Sequence, residues 1–165
     1  MEGILMMLVK LPRLRLCLVG IVAWALCTST SYAQDEQPYR QSIEECLAAT
    51  DTFGEKVDCI GQPAHECMAN RSDGDTAEAM TECYEGVLQS WDARLSEAYS
   101  AMQAEQSTEL LRTQLLDAHR TWLSFRDGMC EFISVQDPTI ANLSEMQCVT
   151  QLTGEQALRL ESMLE

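Results

Sequence analysis

The chain is poor in the residues that most chemistry needs. It has two histidines, His65 and His119, only eleven Lys and Arg in 165 residues, and 6% aromatics. It has no glycine-rich phosphate loop, no metalloprotease helix motif and no close Cys-x-x-Cys pair. Nucleotide binding through a phosphate loop and zinc binding through paired cysteines are therefore not expected. Neither histidine has a serine or cysteine placed beside it by a local motif, so no catalytic base is readable. Paired carboxylates such as Glu44-Glu45 carry no signal in a chain with twenty-six Asp and Glu. No catalytic, cofactor or metal residue is assigned. Strand-like alternation, internal repeats and low-complexity segments are absent too, which excludes β and repeat architectures.

A long hydrophobic run is also missing. The apolar stretch at residues 16–27 falls short of the ~20 residues that span a bilayer. Lys10, Arg13 and Arg15 precede it, and Ser31-Tyr32-Ala33 follows with small residues where a signal peptidase reads. Residues 1–33 read as a signal peptide cleaved after Ala33. The expected location is periplasmic or secreted, with no stable membrane insertion after cleavage.

What remains, residues 34–165, is the size of a single domain. It carries eight Lys and Arg against twenty-five Asp and Glu, a formal charge of −17. That charge repels nucleic acid and anionic membranes and suits a basic partner.

Six cysteines stay with this domain: Cys46, Cys59, Cys67, Cys83, Cys130 and Cys148. An even count in an exported chain reads as three disulfides. Cys46 and Cys59 flank the turn at residues 50–54, Cys67 and Cys83 the loop at residues 70–75, and Cys130 and Cys148 the break at Asp137-Pro138. Sequential pairing follows, and Cys46–Cys67 with Cys59–Cys83 is the alternative.

The rest of the chain reads as helix. Ser42 with Glu45 has the spacing of a capping box for a short helix over residues 43–49. A second helix covers residues 55–69, with Gly61-Gln62-Pro63 a point where it can break. A long helix capped by Asp75 or Thr76 carries Met80, Tyr84, Val87, Leu88, Trp91, Leu95, Ala98 and Met102 in a stripe about 100° wide. After a short connection at Ser107-Thr108, a second long helix carries Leu111, Leu115, Ala118, Trp122, Phe125, Met129 and Phe132 at alternating spacings of four and three. Two such stripes predict a central antiparallel hairpin. A last helix over residues 140–164 turns Leu143, Cys148, Leu152, Leu160 and Leu164 inward. Gly154 weakens its middle by about 1 kcal/mol relative to alanine, a point where it can bend or break. The expected fold is all-α: a small disulfide-stapled helical bundle on a long antiparallel hairpin.

Within this frame Trp91 and Trp122 read as core aromatics. Arg126 flanks the second stripe and is placed to form a bidentate pair with Asp92 that locks helix register. Asp127 points away from the stripe, free to pair with another helix or meet a partner. His119 reads as a structural residue.

The ordered set Thr76, Met80, Cys83, Trp91-Asp92, Leu95, Tyr99, Trp122, Phe125-Arg126-Asp127, Cys130 and Cys148 resembles the LprI-like lysozyme-inhibitor family. The resemblance covers residues 67–164 and leaves residues 34–66 as an N-terminal elaboration. It implies a small exported, disulfide-bonded helical protein that binds lysozyme, a strongly basic wall-degrading enzyme. Ser96, His119 and Gly154 depart from the pattern, which has asparagine, glutamine and a charged helix former there. The implied activity is inhibition by steric occlusion, with Trp91, Asp92, Tyr99, Trp122, Arg126 and Asp127 as mainly structural motif residues. An envelope protein with a structural or interaction role and no hydrolase target is the alternative.

Overall fold

The computed structural model describes residues 37–165, and three threonines set where three of its helices begin. Six helices follow in chain order: α1 (Gln37–Ala48), α2 (Phe53–Asp58), α3 (Gln62–Ala69), α4 (Ala77–Glu105), α5 (Glu109–Ser134) and α6 (Ala141–Glu161). Among the described residues there is no strand. The fold is all-α and carries three disulfides. The signal-peptide reading of residues 1–33, with cleavage after Ala33, lies outside the described residues.

Thr52, Thr76 and Thr108 cap α2, α4 and α5, their hydroxyls accepting from the backbone N–H of Glu55, Ala79 and Leu111 at 3.2–3.3 Å. Each cap satisfies one of the orphan donors of a helix start. The capping box is at Thr52 and Glu55, whose carboxylate accepts from the Thr52 N–H at 2.9 Å. It is not at Ser42 and Glu45. Both pairs have the required spacing, but α1 starts earlier, at Gln37, and Ser42 falls inside it. Ser42 instead donates to Glu66 of α3 at 3.1 Å. The expected break is present but lies at residues 59–61, with Gln62 and Pro63 opening α3, and it divides the second helix into α2 and α3.

The stripe on α4 is the spine of the core. Tyr84, Val87, Trp91, Leu95, Ala98 and Met102 are buried, and Met80 and Leu88 are half-buried. Trp91 is 0% exposed. Its Nε1–H donates to the Ile60 carbonyl at 3.2 Å. Ile43, Ile60 and Ala64 join the same cluster, so the segment before residue 67 is part of the core.

The three long helices run up, down and up. Thr150 approaches the Tyr84 carbonyl and Glu161 pairs with Arg94, so α6 runs parallel to α4. Tyr99 meets His119 and Asp92 approaches Arg126, so α5 runs antiparallel to α4. The closest backbone packing of α4 is nevertheless with α6. Side-chain size explains this. The buried face of α6 is built largely from Thr150, Thr153, Gly154 and Ala157, which let backbones approach. Between α4 and α5 stand the rings of Tyr99, His119 and Trp122, which hold backbones apart.

This arrangement corrects two expectations. First, α6 is continuous through Gly154, which is buried against Ile60. A Cβ there would lie 2.8–2.9 Å from three Ile60 side-chain carbons. Ile60 is fully buried and its carbonyl holds Trp91, so it has little room to yield. Gly154→Ala is therefore expected to destabilise. The helix gains about 1 kcal/mol from losing glycine, while overpacking costs about 1–3 kcal/mol. A denaturant midpoint that falls is the expected result; one that rises would show that Ile60 can move.

Second, the apolar stripe of α5 does not face the core. Only Cys130 and Ser134 of this helix are buried. Trp122 and Leu115 are half-buried, while Leu111, Ala118, Phe125, Met129 and Phe132 are exposed. The core-facing side of α5 is rotated by roughly 100° from its apolar side, taking ~100° per residue. Along it run His119, Trp122, Arg126 and Cys130. Of the inward set expected on α6, Leu143 and Leu160 are buried, and Cys148, Leu152 and Leu164 are half-buried.

The bridges join Cys46 to Cys59, Cys67 to Cys83 and Cys130 to Cys148. Each ties two helices beside the loop that connects them. The cross-paired alternative, Cys46–Cys67 with Cys59–Cys83, is not formed.

Candidate functional site

The motif residues on α4 and α5 meet in a column between the two helices. The Tyr99 and His119 rings lie 4.4 Å apart between centroids. His119 stacks on Trp122 at 5.8 Å. The Arg126 guanidinium lies over the other end of the column, 5.4 Å from the Trp122 ring, a cation–π arrangement. Trp91 stands apart, inside the core.

Arg126 gathers all three long helices. Its side chain is 15% exposed. Nη2 lies 2.8 Å from Oδ1 of Asp127, and Nε donates to the same oxygen at 2.9 Å. Nη1 donates to the Thr153 hydroxyl of α6 at 3.2 Å. Asp92 of α4 is 3.8 Å away, too far for a hydrogen bond. The expected bidentate pair between Arg126 and Asp92 is not made. Asp127, the next residue on the same helix, takes the close contacts. Desolvation raises the Asp92 carboxyl above its ordinary range, with Arg126 opposing the rise and Asp127 adding to it. A tight ion pair would have moved it the other way. Arg126 still acts as a junction: it bonds to Thr153 of α6 and faces Asp92 of α4 across 3.8 Å, held in place by Trp122 and Asp127 of its own helix.

His119 is shaped to stay neutral. Burial lowers its pKa below 6.5, and the Arg126 charge adds to the effect. Its Nδ1 is buried and has no hydrogen-bond partner in the protein, so no acceptor stabilises a proton at that nitrogen. The sign of the pH effect follows. Between the native pKa and the unfolded value near 6.5, the unfolded chain binds more protons. The stability tied to this group is complete above pH 6.5 and is lost as pH falls through that window. Thermal melts at pH 5 and pH 7.5 are expected to differ more in the wild type than in His119→Gln. Equal differences would show that the column tolerates a charged ring.

Among the described residues, no three His, Cys, Asp or Glu side chains converge where a metal could sit. No described helix is long and apolar enough to cross a membrane.

The surface feature that sequence reading misplaced is the outward side of α5. Phe125 is 52% exposed and Phe132 is 61% exposed, with Leu111, Ala118 and Met129 on the same side. They fall within an arc of about 60° that extends over some 30 Å of helix, at ~100° and ~1.5 Å per residue. Asp117 and Glu131, both exposed, lie across Gly128 from this arc, while Glu109, Arg120 and Asp127 fall more than about 100° from it, on the far side of the helix. The apolar spacing was visible in the sequence, but the direction it faces was not.

The family model described as Lysozyme inhibitor LprI matches residues 67–160, from α3 to the end of α6. No curated protein and no solved structure matches the chain.

Proposed function

The chain belongs to the lysozyme inhibitor LprI family, and from that premise we propose that it is an exported acidic protein that blocks a cationic cell-wall hydrolase of the lysozyme kind by steric occlusion. The observation that carries this reading is the family match, which spans the whole three-helix frame and two of the three disulfides. The chain's formal charge of −15 supports it, because opposite charge steers encounter with a basic enzyme and raises the association rate. Three bridges suit an oxidising compartment, periplasmic or extracellular. The protein acts as a binder, with no residue assigned to catalysis and no cofactor.

Titration of the oxidised protein into a lysozyme turbidity assay tests the reading. Inhibition is expected at low salt and should weaken as salt rises, since exposed charges are screened over about 8–10 Å at physiological ionic strength. Absence of inhibition at low salt would sink the reading and leave the envelope interaction protein in its place. Equal inhibition by an unrelated polyanion of the same charge would reduce it to nonspecific attraction.

A further inference from the structure

The outward side of α5 is the one long apolar surface among the described residues that internal packing leaves uncovered. We propose that it is the face that seats on the cationic hydrolase, with Phe125, Met129 and Phe132 as apolar anchors and Asp117 and Glu131 as the charged rim. This rests on the inhibitor reading above and adds the surface that reading lacks.

Three observations carry it. The first is placement. An amphipathic helix normally turns its apolar side to the core, yet α5 turns His119, Trp122, Arg126 and Cys130 inward and leaves two phenylalanines more than half exposed. Contiguous exposed apolar surface of this kind marks an interaction site.

The second is Gly128, which lies beside Phe125 and Phe132 on the same side. A Cβ there would meet nothing within 4 Å. Internal packing therefore does not require glycine, although glycine is among the poorest helix formers. A surface that approaches the helix backbone from outside supplies the reason. Gly154 makes the contrast, since its missing Cβ is explained by Ile60.

The third is charge, which selects the occupant. Asp117 and Glu131 stand across Gly128 from the apolar arc, the exposed Glu109 and Asp127 add negative charge farther round the helix, and the exposed base Arg120 is paired to Asp117 at 3.8 Å. A second copy would bring the same carboxylates and the same net charge against this face, which opposes association. A basic enzyme brings the complement. Aromatic anchors at the centre with charges at the rim is the usual anatomy of a protein interface.

The test measures affinity for a basic c-type lysozyme by calorimetry, together with turbidity inhibition, thermal melts and sedimentation of the oxidised protein. Phe125→Ser with Phe132→Ser is expected to weaken binding at least thirtyfold, with the melting temperature nearly unchanged because both rings are exposed. Gly128→Gln should keep or raise the melting temperature and still weaken binding about tenfold. Asp117→Asn with Glu131→Gln should slow association and flatten its salt dependence. Glu78→Gln with Glu85→Gln, which removes the same charge from α4, should leave binding unchanged.

If the wild type inhibits and the phenylalanine variant inhibits equally well, the α5 face is overturned while the inhibitor reading stands. If the wild type does not bind lysozyme, the inhibitor reading falls and this inference falls with it. If the wild type dimerises, and the phenylalanine variant is monomeric with inhibition intact, the face seats a second copy and the proposal is wrong.

Discussion

Trp91→Ala is expected to cost about 3–5 kcal/mol, the range for removing a large buried aromatic. The indole is 0% exposed and sits among Val87, Leu95, Ile60 and Leu158 in the central cluster. Two losses combine. The cavity left behind borders residues from the α2–α3 junction, α4 and α6, so no single helix can shift to fill it. The Ile60 carbonyl also loses the donor that reaches it from Nε1. A domain of this size is stable by about 5–15 kcal/mol in all, so the variant should lose a large share of its stability. A melting temperature lower by more than about 8 °C is expected, at roughly 3–5 °C per kcal/mol for this chain length. A fall of under about 3 °C would show that the core collapses around the gap. Trp91→Phe should recover much of the packing but not the hydrogen bond.

Removing the bridge between Cys130 and Cys148, as Cys130→Ala with Cys148→Ala, should have the second large effect. The bridge closes a separation of 18 residues, for which chain entropy predicts about 3 kcal/mol. Its position makes the consequence local. Cys130 is one of only two buried side chains on α5, the other being Ser134. With it gone, α5 is held to α6 only by half-buried side chains and the bond from Arg126 to Thr153, and to α4 by the ring column. Hydrogen exchange should show the α5 amides losing protection before those of α4 and α6. A uniform loss along all three helices would mean that α5 is bound more firmly than its burial indicates. The same variant should weaken inhibition if α5 carries the contact face, because a detached helix no longer presents its anchors in fixed positions.

Much of this molecule was legible before any fold was seen. The stripe on α4 is nearly all buried, because its residues are apolar at helical spacing and the helix has neighbours on that side. The bridges follow the loops they flank, since short loops bring their two ends together. Thr76 caps α4 as its side chain and position suggest. The capping box forms at Thr52 and not at Ser42, because the same four-residue pattern occurs twice and only the course of the chain before it decides which one starts a helix. The inward side of α6 was only partly legible. Thr150, Thr153, Gly154 and Ala157 are small or polar, and a search for hydrophobic periodicity passes over them.

The sequence by itself determined an all-α, disulfide-bonded chain of strong negative charge whose core spine is the Trp91 stripe, because periodicity, cysteine spacing and charge are properties of the chain as written. Tertiary structure alone decided which helix lies against which and which way α5 is turned. Helix–helix distance is set by the bulk of both surfaces at once, and small residues on α6 drew it to α4 while the rings of Tyr99, His119 and Trp122 held α5 away. An apolar stripe has the same spacing whether it fills a core or waits for a partner, so Phe125 and Phe132 could be recognised as a surface only once the neighbours of α5 were in place.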